Sequence, residues 1–243
     1  MGPANETVKI AMRIPGAWNH PGELIERLPA GCRLTQDTLT LADGMEIEFD
    51  AMAPDDQFAD IFRTSCRNPP EPEEAEAVEN YKVNILLGGP GGSLEQAHTM
   101  MRAAAAIMHA GGAGVFIDNC MLAHGATAWQ EMTDDGGPDA ISFALVSIMG
   151  NGNEVWTIGM HSLGLRDVLM KRNDCDEFDI VEVIRYCAGS EKRIDHGHVL
   201  ADLSGPRFQA FAQESPADHR KSPLHNPWGR LRLVSMKDIS NAN

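Results

Sequence analysis

Few residues in this chain have the type and spacing that chemistry requires, and they fall into three groups. The first is Gly88-Gly89-Pro90-Gly91-Gly92-Ser93, a glycine-rich turn between an apolar run and an Ala-rich stretch. N–H groups exposed at a helix start attract phosphate or carboxylate, so Gly91, Gly92 and Ser93 are candidate contacts for a small anion. The turn lacks the Lys-Ser/Thr ending of a Walker loop and the spacing of a dinucleotide fingerprint, and a tight turn that needs glycine is the competing reading. The second group is Asp118, Asn119 and His124 with His161. If the runs 114 to 118 and 154 to 160 are parallel neighbours, the residues just past them share one sheet edge. A carboxylate there favours a charged imidazole and burial opposes it, so either histidine would titrate near neutral pH. The competing reading has Asp118 and Asn119 capping a turn and His161 hydrogen-bonded at a boundary. The third group is Asp195, His196 and His198, but adjacent histidines in a loop are ordinarily just exposed, and no metal is expected. His98 and His109 lie about 16 Å apart along one helix, too far for a common ion. No serine stands in a nucleophile elbow and no cysteine in a local signature with histidine, so a catalytic role is assigned to no residue.

The elements that must position these residues are clearest at the centre. Val83 to Leu87 is a short apolar run, ended by the glycine-rich turn. Ser93 stands three residues before Gln96, the spacing of a capping box. Leu94, Ala97, Met101, Ala104 and Met108 recur at helical spacing, and Gly111-Gly112 ends the helix. Gly114 to Asp118 reads as the next strand, so strand, helix and strand form a right-handed crossover, parallel if they share a sheet.

On the N-terminal side, Val8 to Ile14 reads as a strand, Pro21 to Leu28 as a short helix, and Thr38 to Leu41 with Met45 to Met52 as a hairpin across Ala42-Asp43-Gly44. Asp55 to Cys66 is an amphipathic helix with Phe58, Ile61 and Phe62 inward, and 68 to 79 is a solvated connection. On the C-terminal side, the expected order is a strand at 114 to 118, a helix at 126 to 132, a hairpin of 141 to 149 with 154 to 160, a helix at 176 to 187 and a strand near 199 to 203. Strands at 208 to 213 and 230 to 234 follow, separated by a Pro- and His-containing loop. The hairpins share a faint pattern, GMEIEFDAM against GNEVWTIGM.

The expected fold is therefore α+β, with tandem ferredoxin-like βαββαβ units joined by a central helix and extra C-terminal strands. Its divisions are 1–87 for the first unit, 88–112 for the connecting helix and 113–243 for the second unit.

Composition limits the partners. With 35 acidic against 20 basic residues, the net charge of −15 works against phosphate backbones and anionic lipid, and nucleic acid is not an expected partner. Lys171-Arg172 and Lys192-Arg193 are local basic concentrations. No apolar run approaches the roughly 20 residues of a membrane span and the first residues lack a basic start with an apolar block, so no membrane association and a cytoplasmic location are expected. Five cysteines without CxxC spacing fit reduced thiols.

The glycine-capped Ala-rich helix leading into AGGAGVFIDN, then AHG, then TIGMHSLGLRD at 157 to 167, resembles the bacterial family catalogued as domain of unknown function 4261. The resemblance covers Lys82 to the C-terminus and departs at Arg166, where proline is expected. It implies a bacterial, cytosolic module and carries no activity. The sequence thus points to a non-enzymatic binding or interaction module, without cofactor, whose partner is a protein or a small anion. The alternative is a hydrolase or other small-molecule enzyme using Asp118, His124 and His161.

Overall fold

In β1 (Lys9–Gly16), Ile10, Met12 and Ile14 are fully buried while the intervening side chains are more exposed, the period-two signature of a strand. In the computed structural model, which describes residues 7–175, 177–190, 193–203 and 205–241, this strand lies inside a seven-stranded sheet. The chain leaves it through α1 (Pro21–Arg27), then β2 (Arg33–Leu34), β3 (Thr38–Thr40) and β4 (Glu46–Met52), with the expected hairpin at Gly44. Next come α2 (Phe58–Ser65) and α3 (Pro72–Glu79). Phe58 and Phe62 of α2 are buried, but Ile61 is 42% exposed, a correction to its expected inward place. The expected solvated connection contains α3, because Glu71 and Glu74 close a capping box and Val78 buries its side chain.

β5 (Val83–Pro90) runs three residues past the expected end, since Gly88, Gly89 and Pro90 continue the antiparallel ladder with β1. Glycine at 89 is what the close approach of helix and sheet requires, because a Cβ there would lie 2.4 Å from Met100 Sδ. The helix in question is α4 (Leu94–His109), with the Ser93 hydroxyl accepting from Gln96 N at 3.1 Å. β6 (Gly114–Ile117) and β7 (Leu122–Gly125) complete the sheet, whose order is β2-β3-β4-β5-β1-β6-β7 with antiparallel neighbours throughout. β5 and β6 are thus parallel in one sheet, as expected of the crossover, with β1 between them.

The remaining elements are α5 (Ala126–Asp135), α6 (Pro138–Leu145), β8 (Ser147–Gly150), β9 (Glu154–Ile158), β10 (Asp167–Lys171), α7 (Glu177–Gly189), β11 (Val199–Asp202), β12 (Gly205–Gln213), β13 (Arg230–Ser235) and α8 (Met236–Asn241). The strands form a second sheet, ordered β11-β12-β13-β10-β9-β8. The architecture is α+β with mostly antiparallel sheets, but two of its features depart from the tandem ferredoxin-like expectation. In the first half β5 inserts between β4 and β1, where a ferredoxin-like unit would pair the first and third strands directly. In the second half β6 and β9 belong to different sheets, so the parallel pairing that would place residues 118 and 161 on one edge does not form. The region 141 to 145 is helix rather than strand, because Pro138 starts a helix in which Ile141, Ala144 and Leu145 fall on the buried side. The divisions at 87/88 and 112/113 do not coincide with the change of sheet, which falls between β7 and β8. Asp176, the expected first residue of α7, and Glu191 and Lys192 lie outside the described residues.

One hydrophobic cluster runs through both sheets, from Ile10, Met12 and Ile14 through α4 to Val168, Met170, Leu231 and Leu233. A smaller cluster of Phe58, Phe62, Val78, Tyr81 and Phe116 forms under α2 and α3.

At the join of the two sheets, a short 3₁₀ turn (Met160–Leu163) meets the start of α4. Gly92 N donates to Ser162 O at 2.9 Å, and Gly164, at φ 78, faces the Gly92 carbonyl. A Cβ at 164 would sit 2.2 Å from that oxygen, in a backbone conformation that L residues disfavour. Gly164→Ala is therefore expected to destabilise the protein by roughly 2 kcal/mol or more, read as a lowered denaturant midpoint at unchanged slope.

Candidate functional site

The turn after β6 ends its pairing with β1 and hands the job to a side chain. Asp118 N still donates to Ala11 O at 3.0 Å, and then the Asn119 carboxamide takes over: its Oδ1 accepts from Ala11 N at 2.8 Å and its Nδ2 donates to Lys9 O at 3.0 Å. Asn119 stands in for a peptide group on the edge of β1. Met121 closes the turn at φ 57, a left-handed conformation uncommon outside glycine.

The same Nδ2 lies 3.2 Å from His161 Nε2 and 3.4 Å from Pro223 O. Asn119 and His161, both 2% exposed, therefore join the first sheet to the turn that enters the second. Asn119 Nδ2 can only donate, so in this contact a neutral His161 accepts at Nε2, which leaves its Nδ1 buried without a partner among the described residues. Burial pushes the His161 pKa down to about 4, with the Pro223 carbonyl opposing and the nearby His225 adding to the drop.

The other expected members lie elsewhere. The Asp118 carboxylate faces Arg13, whose Nε stands 3.0 and 3.2 Å from its two oxygens. His124 is buried beneath α6, with Nε2 3.0 Å from Ala144 O and its ring centroid 5.8 Å from that of Trp129 and 6.3 Å from that of Phe143. Burial pushes it down to about 4 as well, the Ala144 carbonyl opposing and the Arg67 charge assisting. Of the four residues expected to converge, Asn119 and His161 meet. Asp118 and His124 each have a separate partner set, because the turn directs 118 toward β1 and β7 carries 124 under α6.

The glycine-rich turn is likewise engaged. Gly91 N donates to Val8 O at 3.0 Å and Gly92 N to Ser162 O, so two of the amides expected to cradle an anion are already used. Ser93 serves as helix cap, without the reciprocal bond from Gln96 to complete the box. Asp195, His196 and His198 form a local loop network, in which Asp195 N donates to His198 Nδ1 at 3.0 Å. Among the described residues, no group of three or more His, Cys, Asp or Glu side chains is arranged to hold a metal ion. Nor is any helix among them long and apolar enough to cross a membrane.

Two features escaped the sequence. The first is a partly buried acid, Asp167, at the start of β10. Its Oδ2 accepts from Asn226 Nδ2 at 2.9 Å, and its Oδ1 accepts from Thr157 Oγ1 at 3.2 Å and Met160 N at 3.3 Å. Burial pushes it up to about 7 against the pull of those bonds. Asn226 also donates to Leu165 O and accepts from Trp228 N, which ties the 215 to 229 loop to the second sheet. The only signal in the sequence was an acidic residue opening an apolar run, DVLM.

The second is a groove of about 600 Å³ between α1 and the ends of β4 and β5. Phe49, Val83 and Ile85 lie along the sheet side, Trp18, Leu24 and Ile25 along the other, and the exposed His20, Thr35 and Gln36 give it a polar margin. Ile25 is 50% exposed on a seven-residue helix whose Leu24 is buried. Two adjacent apolar residues on so short a helix cannot both face the core, and that was the available clue.

No family model, no curated protein and no solved structure matches this chain.

The geometry sets two stability expectations. His161 is not a surface-edge residue that can be removed cheaply. His161→Ala is expected to cost roughly 2–4 kcal/mol through the cavity and the lost bond, read by chemical denaturation. The second concerns pH. An unfolded imidazole takes its proton near 6.5, whereas His161 and His124 resist until about 4. Their contribution is complete above pH 6.5 and is lost as the pH falls toward 4. Asp167 acts oppositely: protonated in the fold up to about 7 but ionising near 3.8 when unfolded, it loses stability as pH rises through that range. Two groups outweigh one, so stability should fall below pH 6.5, and the acid limb should be visibly shallower in His161→Gln. An unchanged limb would place the titration elsewhere.

Proposed function

We propose that this protein is a binding module and that its ligand is a small molecule with an apolar body, held in the groove between α1 and the ends of β4 and β5. The observation that carries this reading is the groove's lining. Phe49, Val83, Ile85, Leu24 and Ile25 supply a largely apolar lining, alongside the polar residues Asn19, His20, Thr35, Gln36 and Asp50. A concavity of about 600 Å³ is within the range of sites that enclose most of a small ligand. Burial of apolar surface supplies the affinity, at about 25 cal/mol per Å² before the costs of association, and the polar margin orients the ligand.

The enzymatic alternative at Asp118, His124 and His161 has less support, because ion pairing with Arg13, burial under α6 and the bond to Asn119 engage the three groups separately. The resemblance to the domain of unknown function 4261 family, which would bring a bacterial and cytoplasmic setting, is compatible with a binding role. The net charge of −15 argues against nucleic acid as the partner.

Titration with anilinonaphthalene sulfonate and with dodecanoate, followed by probe fluorescence and by calorimetry, tests the reading. Saturable binding is expected, weakened about ten-fold or more by Ile25→Glu, which places a charge in the apolar lining. Because Ile25 is half exposed, the variant should keep its melting temperature within a few degrees. Absence of saturable binding, or affinity indifferent to Ile25→Glu, would remove the groove as the site.

A further inference from the structure

Two cavities share a wall near the join of the two sheets, where Trp228 approaches Gly92. The smaller, about 150 Å³, is lined by Gly164, Arg166, Arg193, Asp195 and Trp228. The larger, about 460 Å³, is lined by Arg166, Arg220, His225, Asn226 and Trp228. Arg166 and Trp228 belong to both. Three arginines thus gather round one indole in a chain whose net charge is −15.

Their guanidinium groups are poorly used. Arg166 has only a 3.5 Å ion pair with Asp195, although its side chain is 23% exposed. Arg220 has a 3.6 Å ion pair with Glu214, and Arg193 stands 6.0 Å over the Trp228 ring. None of the three donates a hydrogen bond to a described residue. His225 adds a buried Nδ1 without a partner. A guanidinium carries five N–H donors in a planar fork, and holding that of Arg166 partly out of water with one long ion pair is costly, whereas Arg193 and Arg220 keep their donors at the surface. An oxyanion that accepts two parallel bonds removes that cost. The facing acids do not prevent it: Asp195 and Glu214 are 63% and 90% exposed, so both carboxylates can turn into solvent when a ligand's oxygens take their place.

We propose that these cavities form one cleft that binds a small oxyanion ligand, a molecule bearing phosphate or several carboxylates. Arg166 grips the anionic group at the centre, Arg193 and Arg220 approach from either side, and Trp228 offers a ring face to any flat portion of the ligand. The cleft is independent of the apolar groove, and either can fail without the other. It also relocates the small anion expected at Gly91, Gly92 and Ser93. Trp228 Cη2 lies 3.4 Å from the position of a Cβ on Gly92, so the cleft adjoins that turn but draws on side chains rather than its spent amides.

Calorimetric titration of the full chain with pyrophosphate, citrate and adenosine diphosphate, at low and at physiological salt, is the test. Saturable one-to-one binding is expected for at least one probe, weaker at higher salt. Arg166→Gln should reduce the affinity about ten-fold or more, and so should Arg220→Gln, whose side chain is too exposed to endanger folding. Arg102→Gln, which removes a pair with Asp43 outside the cleft, should leave it unchanged. If Trp228→Leu weakens adenosine diphosphate but not pyrophosphate, the ring face is part of the site. If it weakens neither, the ligand is a simple oxyanion held by the arginines. No binding of any probe, or binding that Arg166→Gln and Arg220→Gln leave intact, would overturn the proposal.

Discussion

The constraint on which the rest depends is the burial of α4. Ten of its sixteen residues are buried, from Ala97 and Thr99 through Ile107 and Met108, and it touches the first sheet along β1 and β5, the 3₁₀ turn leading to the second, and both α5 and α6. A helix can lie in that position only if its backbone is satisfied internally and its side chains are small enough for neighbours to approach. The run of four alanines meets the second condition. Met100 and Met101 fill the irregular space that alanine leaves, as when the Met100 sulfur occupies the place of a side chain at Gly89. The Ser93 cap and the glycine after the helix meet the first condition at its ends.

Once α4 is covered on both sides, the two sheets must be joined where it begins, and the join is polar. Asn119 ends the ladder of β1 and reaches His161, Gly92 bonds Ser162, and Asn226 bonds Asp167 and Leu165. Asn119, His161 and Asn226 are withdrawn from water and Asp167 is partly so, which favours groups that are paired or neutral. That preference explains why His161 and His124 stay unprotonated to about pH 4 while Asp167 holds its proton to about pH 7. Perturbed pKa values of this kind often mark catalytic groups. Here burial is the largest cause at all three, and the residues that look most chemical in the sequence turn out to hold the molecule together.

The difference between what was legible and what was not has a physical origin. The β5–α4–β6 crossover was readable because apolar run, glycine turn, capping serine and helical spacing agree, and each is a local property. The hairpin at Gly44 and the strands at 208 to 213 and 230 to 234 were readable for the same reason. Sheet membership was not, since nothing in the residues 114 to 118 or 154 to 158 states which strands will lie beside them. Only the first part of the expected strand, 141 to 145, is helix: its apolar residues suit either period, and the helix start at Gly137-Pro138 decides between them, while 147 to 149 form strand as expected. The candidate site inherited both errors. It rested on a topological inference, so one strand assigned to the wrong sheet separated Asp118 and His124 from His161, and the Asn119 to His161 contact formed through the junction of sheets rather than along one edge.

The two binding regions, by contrast, lie where the polar join and the core both end. The apolar groove opens where α4 has finished and the sheet face beyond it is left to α1, a helix of seven residues, too short to cover Phe49 and Val83. The arginine cleft opens beyond Asn226, where the 215 to 229 loop turns away from β13 and carries Trp228 with it. A structure that spends most of its buried polar groups on satisfying one another leaves ligand recognition to its margins, where arginines keep unused donors and an isoleucine stays half exposed. A residue's chemical type says what it can do, and only its partners say whether that capacity is still free.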